Sequence, residues 1–315
     1  MNKDFSQVTA LVVGDLMLDI YIYDNKNKKS PEADIPLVLE EDSNYYAGGS
    51  GNVVMNIKSM GGNPIPIGVI GKDCSAYRLK KIFEDSGIDT SNIIKSKESH
   101  TTTKKRIFIN GEQYLRLDND QKTINKKISN ALYQLVKIYI SRCNILILSD
   151  YEKGVLTADM CKKIIQLARK QKIPVIIDPK KEKIDCYAGA YVVTPNFKEA
   201  KKMSGLYNKK DIIEFFKKHI EKNDITYVLL KNGSEGMTLI SKDYSKDFTA
   251  LKVDSPDVTG AGDTVVSTLS LLISAGNEIE DCVKYSNIAA GLVVSKNETA
   301  SIEIDEVFCE RSINE

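Results

Sequence analysis

Three short strings carry the residue types that do chemistry. The first is Asp257-Val-Thr-Gly-Ala-Gly-Asp263, followed by a helix-like stretch from Thr264 to Ile273. Gly260 and Gly262 let the backbone turn tightly with N–H groups facing outward. The helix that follows brings its positive dipole end to the same spot, so the string makes an anion site. Asp263 puts a carboxylate at that helix mouth, where it can take the proton of a hydroxyl attacking a phosphate. Phosphoryl transfer asks for little more than charge stabilisation at the migrating group, in-line positioning and a base for the acceptor. In isolation, a glycine-rich turn capped by Asp would look the same. The second string, Ala47-Gly-Gly-Ser-Gly-Asn52-Val-Val-Met-Asn56, nearly mimics a dinucleotide-binding fingerprint. Position 54 is Val, however, and the string lies about 35 residues past the first strand rather than in its turn, which excludes that reading. No G-x-x-x-x-G-K-[ST] motif occurs either. What remains is a glycine-lined surface beside the Asn52 amide, open to close approach by a polyhydroxy ligand. The third string is Gly14-Asp-Leu-Met-Leu-Asp19. Its Asp15 stands just past a buried strand, where α/β sheets bind ligands, and a carboxylate there can accept from two sugar hydroxyls.

Elements of two periods must position these residues. Thr9-Ala-Leu-Val-Val-Gly14 is a short apolar run ended by Gly, the pattern of a buried strand. Ile20 to Tyr23 and Pro36 to Leu39 alternate like strands with one wet face. Thr102 to Ile109 and Gln113 to Leu117 read as a hairpin around Asn110-Gly111. From about 125 onward, short apolar runs (145–148, 174–177, 191–194, 227–230) alternate with helical stretches (125–141, 157–171, 209–222, 261–275, 278–295). That rhythm predicts βαβ units and a mainly parallel sheet covered on both faces. The expected architecture is one α/β domain over residues 1–315, with a small β lid from about 16–46 and 100–119.

Composition narrows the function classes. Lys and Arg number 44 against 43 Asp and Glu, so a net charge of +1 offers no global field for nucleic acid or an anionic membrane. Six scattered cysteines without a C-x-x-C pair predict reduced, buried thiols. Two histidines, His100 and His219, are too few for a zinc hydrolase or a His-based triad. No apolar h-region and no 18-residue apolar run occur, so a soluble cytoplasmic protein is expected.

Taken in order, the three strings resemble the ribokinase-like (PfkB-type) carbohydrate kinases. D-x-T-G-A-G-D matches that family's C-terminal signature, G-G-x-x-N its N-terminal one, and Asn196-Phe-Lys-Glu199 its N-x-x-E element. The likeness covers essentially the whole chain. It implies a three-layer fold with a central mainly parallel sheet and a β lid. It implies Asp263 as the base, Gly260, Ala261 and Gly262 as the anion hole, and Asp15, Gly48, Gly49 and Asn52 as ligands of sugar hydroxyls. Asn196, Lys231, Gly233, Gly236, Asp257 and Asn287 would border ATP, with Asn196 and Glu199 organising Mg²⁺ through water. Within the family the likeness runs to the kinase domains of bacterial heptose-phosphate enzymes, through Ser30-Pro-Glu-Ala33, Leu115-Arg-Leu-Asp118, Ser149-Asp-Tyr-Glu-Lys-Gly154 and Ile177-Asp-Pro-Lys180. The implied reaction is ATP-dependent phosphorylation of D-glycero-β-D-manno-heptose 7-phosphate at O1, feeding ADP-heptose and lipopolysaccharide or surface-glycan supply. Kinases of ribose, fructose or tagatose 6-phosphate are alternatives, and a non-catalytic sugar- or nucleotide-binding regulator is the rival from another class.

A sugar phosphate also needs cations for its distal phosphate, and Arg106, Arg116, Lys153 and Lys180 are the candidates, with Asp178 beside the last. Two departures stand out. Asp34 replaces a usual Pro, and Glu298 stands where the loop Lys296 to Ser301 carries Gly in the heptose kinases, which leaves dependence on a monovalent cation open. The chain shows no H-x-G-H nucleotidyltransferase segment, so the monofunctional form is expected. Finally, Ile20, Ile22, Leu37, Leu39, Ile107 and Ile109 would give the lid an apolar face too large to leave wet, so a homodimer through the lid is expected.

Overall fold

The computed structural model describes residues 1–24, 28–39, 43–251, 258–296 and 298–309. Its frame is an eight-stranded sheet built from β1 (Thr9–Gly14), β4 (Asn63–Ile67), β9 (Ile145–Ser149), β10 (Val175–Asp178), β11 (Val192–Val193), β12 (Tyr227–Lys231), β13 (Met237–Ile240) and β14 (Ser245–Phe248). The spatial order is β14-β13-β12-β11-β10-β9-β1-β4; the strands from β4 to β12 run parallel, while β13 and β14 add an antiparallel edge. The parallel strands are apolar throughout because helices cover both faces. Period 2 then divides each strand between two cores: Ala10 and Val12 of β1 enter one, Leu11 and Val13 the other. The first core is closed by α1 (Ser50–Ser59), α7 (Ala261–Ser274) and α8 (Ile279–Val294), with the short α9 (Ile304–Val307) against α8. The second is closed by α3 (Lys126–Tyr139), α4 (Ala158–Lys170), α5 (Phe197–Ser204) and α6 (Lys209–Lys222).

A second sheet stands apart, in the order β3-β2-β7-β8, from β2 (Leu16–Asp24), β3 (Ser43–Gly49), β7 (Thr102–Ile109) and β8 (Glu112–Asn119). A two-stranded piece, β5 (Val69–Ile70) and β6 (Ile94–Lys95), and α2 (Cys74–Asp85) complete the chain between them. The hairpin turn is as expected: Asn110 (φ 52°) and Gly111 (φ 83°) both take positive φ, the requirement of a type I′ turn. The antiparallel edge β13–β14 and the elements α2, β4 and α5 were not anticipated.

Several expectations need correction. Pro36 to Leu39 form no strand; Pro36 makes one isolated bridge to Lys29, and β3 takes the place beside β2 instead. Positions 25–27 and 40–42 of the expected lid lie outside the described residues. β2 has no wet face, because Leu16, Leu18, Ile20 and Ile22 pack with Leu79 and Phe83 of α2 while Met17, Asp19 and Tyr21 are buried on the opposite side. The apolar lid face is therefore largely covered by the chain itself. Of the expected set only Leu37 stays exposed, joined in this part of the chain by Ile35, Tyr114, Leu115 and Leu117. Four cysteines are free and buried as expected, but Cys74 and Cys309 are exposed. No described helix is long and apolar enough to cross a membrane.

Candidate active site

The carboxyl ends of β1, β9, β10 and β12 and the N-termini of α1, α5 and α7 converge at one edge of the large sheet, and the small sheet faces the same place. Here Asp263 lies in the first turn of α7, buried, with both oxygens bonded. Tyr151 Oη donates to its Oδ1 (2.6 Å) and Asn52 Nδ2 to its Oδ2 (2.9 Å). Burial, and after it the negative charge of Asp178, push the Asp263 carboxyl up to about 7; the Tyr151 and Asn52 hydrogen bonds and Lys231 oppose that rise. Gly260 caps α7 at φ 79°, and a Cβ there would stand 2.8 Å from Asn52 Nδ2. Only glycine lets the loop turn this tightly against the asparagine.

Lys231, at the end of β12, pairs with Asp178 at the end of β10 (2.7 Å), a contact that holds its ammonium charged despite burial. Behind them opens a cavity of about 600 Å³ lined by Asn196, Lys231, Gly233, Gly236, Gly262 and Asn287 among others, with apolar walls from Leu251, Val265 and Val294. Asn287 Nδ2 donates to the Thr249 carbonyl (2.6 Å). The expected nucleotide residues are thus brought together, except Asp257, which lies outside the described residues.

Among the expected sugar ligands the structure redistributes roles. Asp15 already accepts three backbone hydrogen bonds, which leaves one acceptor position on Oδ1. Its Oδ2 accepts from the backbone N–H groups of Tyr151 (2.9 Å) and Lys153 (3.1 Å), and its Oδ1 from that of Val155 (3.1 Å). Asp15 therefore clamps the part-buried loop after β9, supplying the acceptor that three of its amides need. Asn52 is likewise committed, its amide holding Asp263 and its oxygen accepting from Asn56. A second buried carboxylate, Asp19, which sequence reasoning passed over, lies 3.4 Å from Arg106. Its Oδ2 accepts from Thr299 (3.2 Å), and its buried Oδ1 has no hydrogen bond. A Cβ on Gly48 would strike that carboxylate at 2.8 Å, so the glycine makes room for it. Gly49 caps α1 at φ 57°.

The proposed phosphate cations also separate. Arg116 is half-exposed and bound through Nε and Nη2 to Asp118 (2.9 and 2.7 Å). Lys153 is held by Asp120 (2.5 Å), and Lys180 by Glu199 (3.1 Å). Lys181, not Lys180, reaches the buried Asp150 (3.0 Å). Arg106 is largely buried and ion-paired with Asp19 (3.4 Å), and its Nη1 has no hydrogen bond. Two positions away on the same strand face is Lys104, which sequence reasoning missed. Its ammonium lies 5.5 Å from the centre of the Tyr151 ring and has no ion pair among the described residues, and burial lowers its pKa. The only sequence signal for Asp19 and Lys104 was period-2 placement on a face that looked like ordinary solvated strand.

Glu298 adopts φ 64°, fitting the glycine of related loops, and spends its carboxylate on the small sheet, accepting from Tyr23, Tyr46 and Asn44. Asn297 beside it lies outside the described residues.

The family profile of the pfkB family of carbohydrate kinases matches residues 9–305. The chain belongs to that family. This kinase is 38% identical over 307 residues to the bifunctional protein HldE of Blochmanniella floridana, covering 96% of the present chain and 63% of that protein. It is 37% identical over 310 residues to the HldE of Haemophilus influenzae, covering 97% and 64%. The kinase thus spans less than two thirds of the bifunctional proteins it matches. An uncharacterized sugar kinase of Buchnera aphidicola, 35% identical over 306 residues, is covered over 96% of both chains. By fold, the kinase superposes on Escherichia coli phosphofructokinase-2 solved with potassium (TM-score 0.80, 20% identity, 95% and 96% of the two chains) and on Arabidopsis thaliana ribokinase complexed with ribose and ATP (TM-score 0.75, 16% identity, 98% of each). It is a phosphotransferase that acts on a sugar hydroxyl.

Kinases of this family use ATP, generally with Mg²⁺. The described residues include no group of three or more His, Cys, Asp or Glu placed to hold a metal. Glu199 is already engaged at both oxygens, by the Asn196 N–H in a capping box and by Lys180. With both oxygens engaged, Glu199 fits a hydrated Mg²⁺ carried by phosphates, which it would reach through water, better than a dehydrated ion.

Proposed function

We propose that this kinase phosphorylates D-glycero-β-D-manno-heptose 7-phosphate at O1, using MgATP, to give the 1,7-bisphosphate for ADP-heptose and surface-glycan supply in the cytoplasm. The observation that carries the choice of a phosphorylated sugar is the pair Lys104 and Arg106. Arg106 is ion-paired with Asp19 yet keeps a buried Nη1 without a hydrogen bond, and part-buried Lys104 has no ion pair among the described residues, so the two cations are only partly neutralised and a phosphate would complete them. Tyr151 spans the distance, its hydroxyl on Asp263 and its ring beneath Lys104, so an acceptor at the base and a phosphate at the lid stand one tyrosine length apart. The motif likeness to heptose-phosphate kinases supplies the sugar.

In this reading Asp263 takes the proton of the anomeric hydroxyl, and the amides of Gly260 and Gly262 at the α7 N-terminus face the charge of the migrating phosphoryl group, joined by that of Ala261 once it leaves the Val258 carbonyl (3.4 Å). Asp19, beside Gly48 and Gly49, accepts from sugar hydroxyls. Lys231 faces the phosphates, and Asn287 borders the nucleotide cavity. Bound Mg²⁺ neutralises charge on the nucleotide phosphates. The chain acts as one kinase domain whose small sheet closes over the sugar, and it works as a homodimer through that sheet.

Mass-spectrometric product analysis over a panel tests this, with heptose 7-phosphate, its dephosphorylated sugar, ribose, fructose and tagatose 6-phosphate as acceptors. The 1,7-bisphosphate should be the dominant product. Lys104→Met should raise KM for the phosphorylated acceptor about 10- to 100-fold while leaving KM for ATP unchanged. Turnover of ribose or fructose with none of heptose 7-phosphate would sink the assignment.

A further inference from the structure

Tyr151 is tied down at three points. Its backbone N–H donates to Asp15 Oδ2, its ring lies under Lys104, and its hydroxyl donates to Asp263 Oδ1. The loop carrying it takes two positive-φ positions, Glu152 at 58° and Gly154 at 101°, so the chain is bent to deliver this side chain. No role in the kinase reaction was expected of it from sequence.

We propose that Tyr151 is a positioning residue for the base: its hydroxyl holds the Asp263 carboxylate anionic and aimed, leaving the free lone pairs of that carboxylate for the acceptor hydroxyl. The proposal rests on Asp263 acting as the base. Each carboxylate oxygen can accept two hydrogen bonds, so one donor on Oδ1 and one on Oδ2 still leave room for the sugar. The groups that face Asp263 are Asn52 from α1, Tyr151 after β9, Asp178 at the end of β10 and Lys231 at the end of β12. Asp178 and burial favour the protonated acid, which cannot act as a base, and Tyr151 is the foremost group opposing them. Tyr151 itself stays protonated, because burial and the neighbouring Asp263 charge raise its pKa well above the ordinary tyrosine value. No proton leaves Tyr151 in the cycle. The acceptor's proton moves to Asp263 as the new O–P bond forms and the bond to the departing nucleotide breaks, and it passes to water on product release.

Tyr151→Phe removes the hydroxyl alone and keeps the ring and the backbone N–H. Carbon NMR of ¹³C-labelled aspartate, with the Asp263 signal assigned from Asp263→Asn, should show the Asp263 titration rising by about one pH unit in Tyr151→Phe. The acid limb of kcat/KM against pH should rise by the same amount, so the loss is about tenfold near pH 6 and nearly gone near pH 9. Fluorinated tyrosine at 151, a stronger donor, should move both readouts the opposite way, and it serves if Tyr151→Phe fails to fold. An unmoved Asp263 titration, or an equal loss at every pH, overturns the proposal. A moved titration with an unmoved acid limb also overturns it, and in that case the failure lies with Asp263 as base.

Discussion

In the proposed role of base, Asp263 combines two demands that conflict, and the conflict is measurable. Its carboxylate is buried at the mouth of α7 near Asp178, so the protonated form is favoured up to about pH 7. A base must be ionised, so kcat/KM should fall as pH drops below about 7. The stability effect has the opposite sign to the usual aspartate. Because the folded pKa lies above the unfolded one, the folded state binds the extra proton, and stability declines as pH rises from about 4 to about 7. Asp263→Asn should therefore lower turnover about 10²- to 10⁴-fold while leaving ATP binding intact, and at pH 8 it should stabilise the fold by about 1–3 kcal/mol. Calorimetric melting at pH 8 and at pH 5 checks this, since the gain should shrink at the lower pH. A variant melting below the wild type at pH 8 would show that the carboxylate is not held under strain.

The turn after β9 shows how one element serves a distant one. Its sequence, Asp150-Tyr-Glu-Lys-Gly154, carries charges that invite assignment as substrate ligands. In the fold its backbone is gathered onto Asp15 by three amide donors, while Lys153 turns to Asp120. Asp15→Ala would leave those N–H groups without an acceptor and should cost about 2–5 kcal/mol, read as a lower urea midpoint. Asp15→Asn keeps one acceptor and should cost less. If Asp15→Ala were as stable as wild type but unable to bind sugar, Asp15 would be a substrate ligand after all. The same scale explains what was legible. Strands of the large sheet were readable because helices bury both faces, making each run continuously apolar. β3 was not, because Ser43-Asn-Tyr-Tyr-Ala-Gly-Gly49 has neither a continuous run nor clean alternation. Pro36 to Leu39 alternated without having a partner strand to pair with.

At the scale of the molecule, the small sheet ties the chain together. Its β2 receives Thr299 and Glu298 from the loop beyond α8, so the cleft is bounded by segments nearly 280 residues apart (separations of 280 for Thr299–Asp19 and 275 for Glu298–Tyr23). The outer strand β8 is exposed along its whole length, with Tyr114 63%, Leu115 43% and Leu117 49% accessible. Such a strand invites pairing, and a second copy would cover it. Light scattering at micromolar concentration should give a dimer for the wild type and a monomer for Leu115→Glu/Leu117→Glu. A monomeric wild type would remove the dimer from the proposal.

The amino-acid sequence determined by itself the layered α/β frame, the Asn110-Gly111 hairpin and the glycine–aspartate string proposed to carry the chemistry. These depend on neighbours along the chain: period, turn residues and a helix start. Which charged group is free and which is already satisfied was decided only by tertiary structure. Asp263 meets Tyr151 and Asn52 from 112 and 211 positions away. Asp15 holds a loop about 140 residues later, Asp19 pairs with Arg106, and Lys104 has no ion pair among the described residues. A carboxylate or ammonium carries the same charge wherever it stands, and its availability depends on partners that local spacing does not reveal.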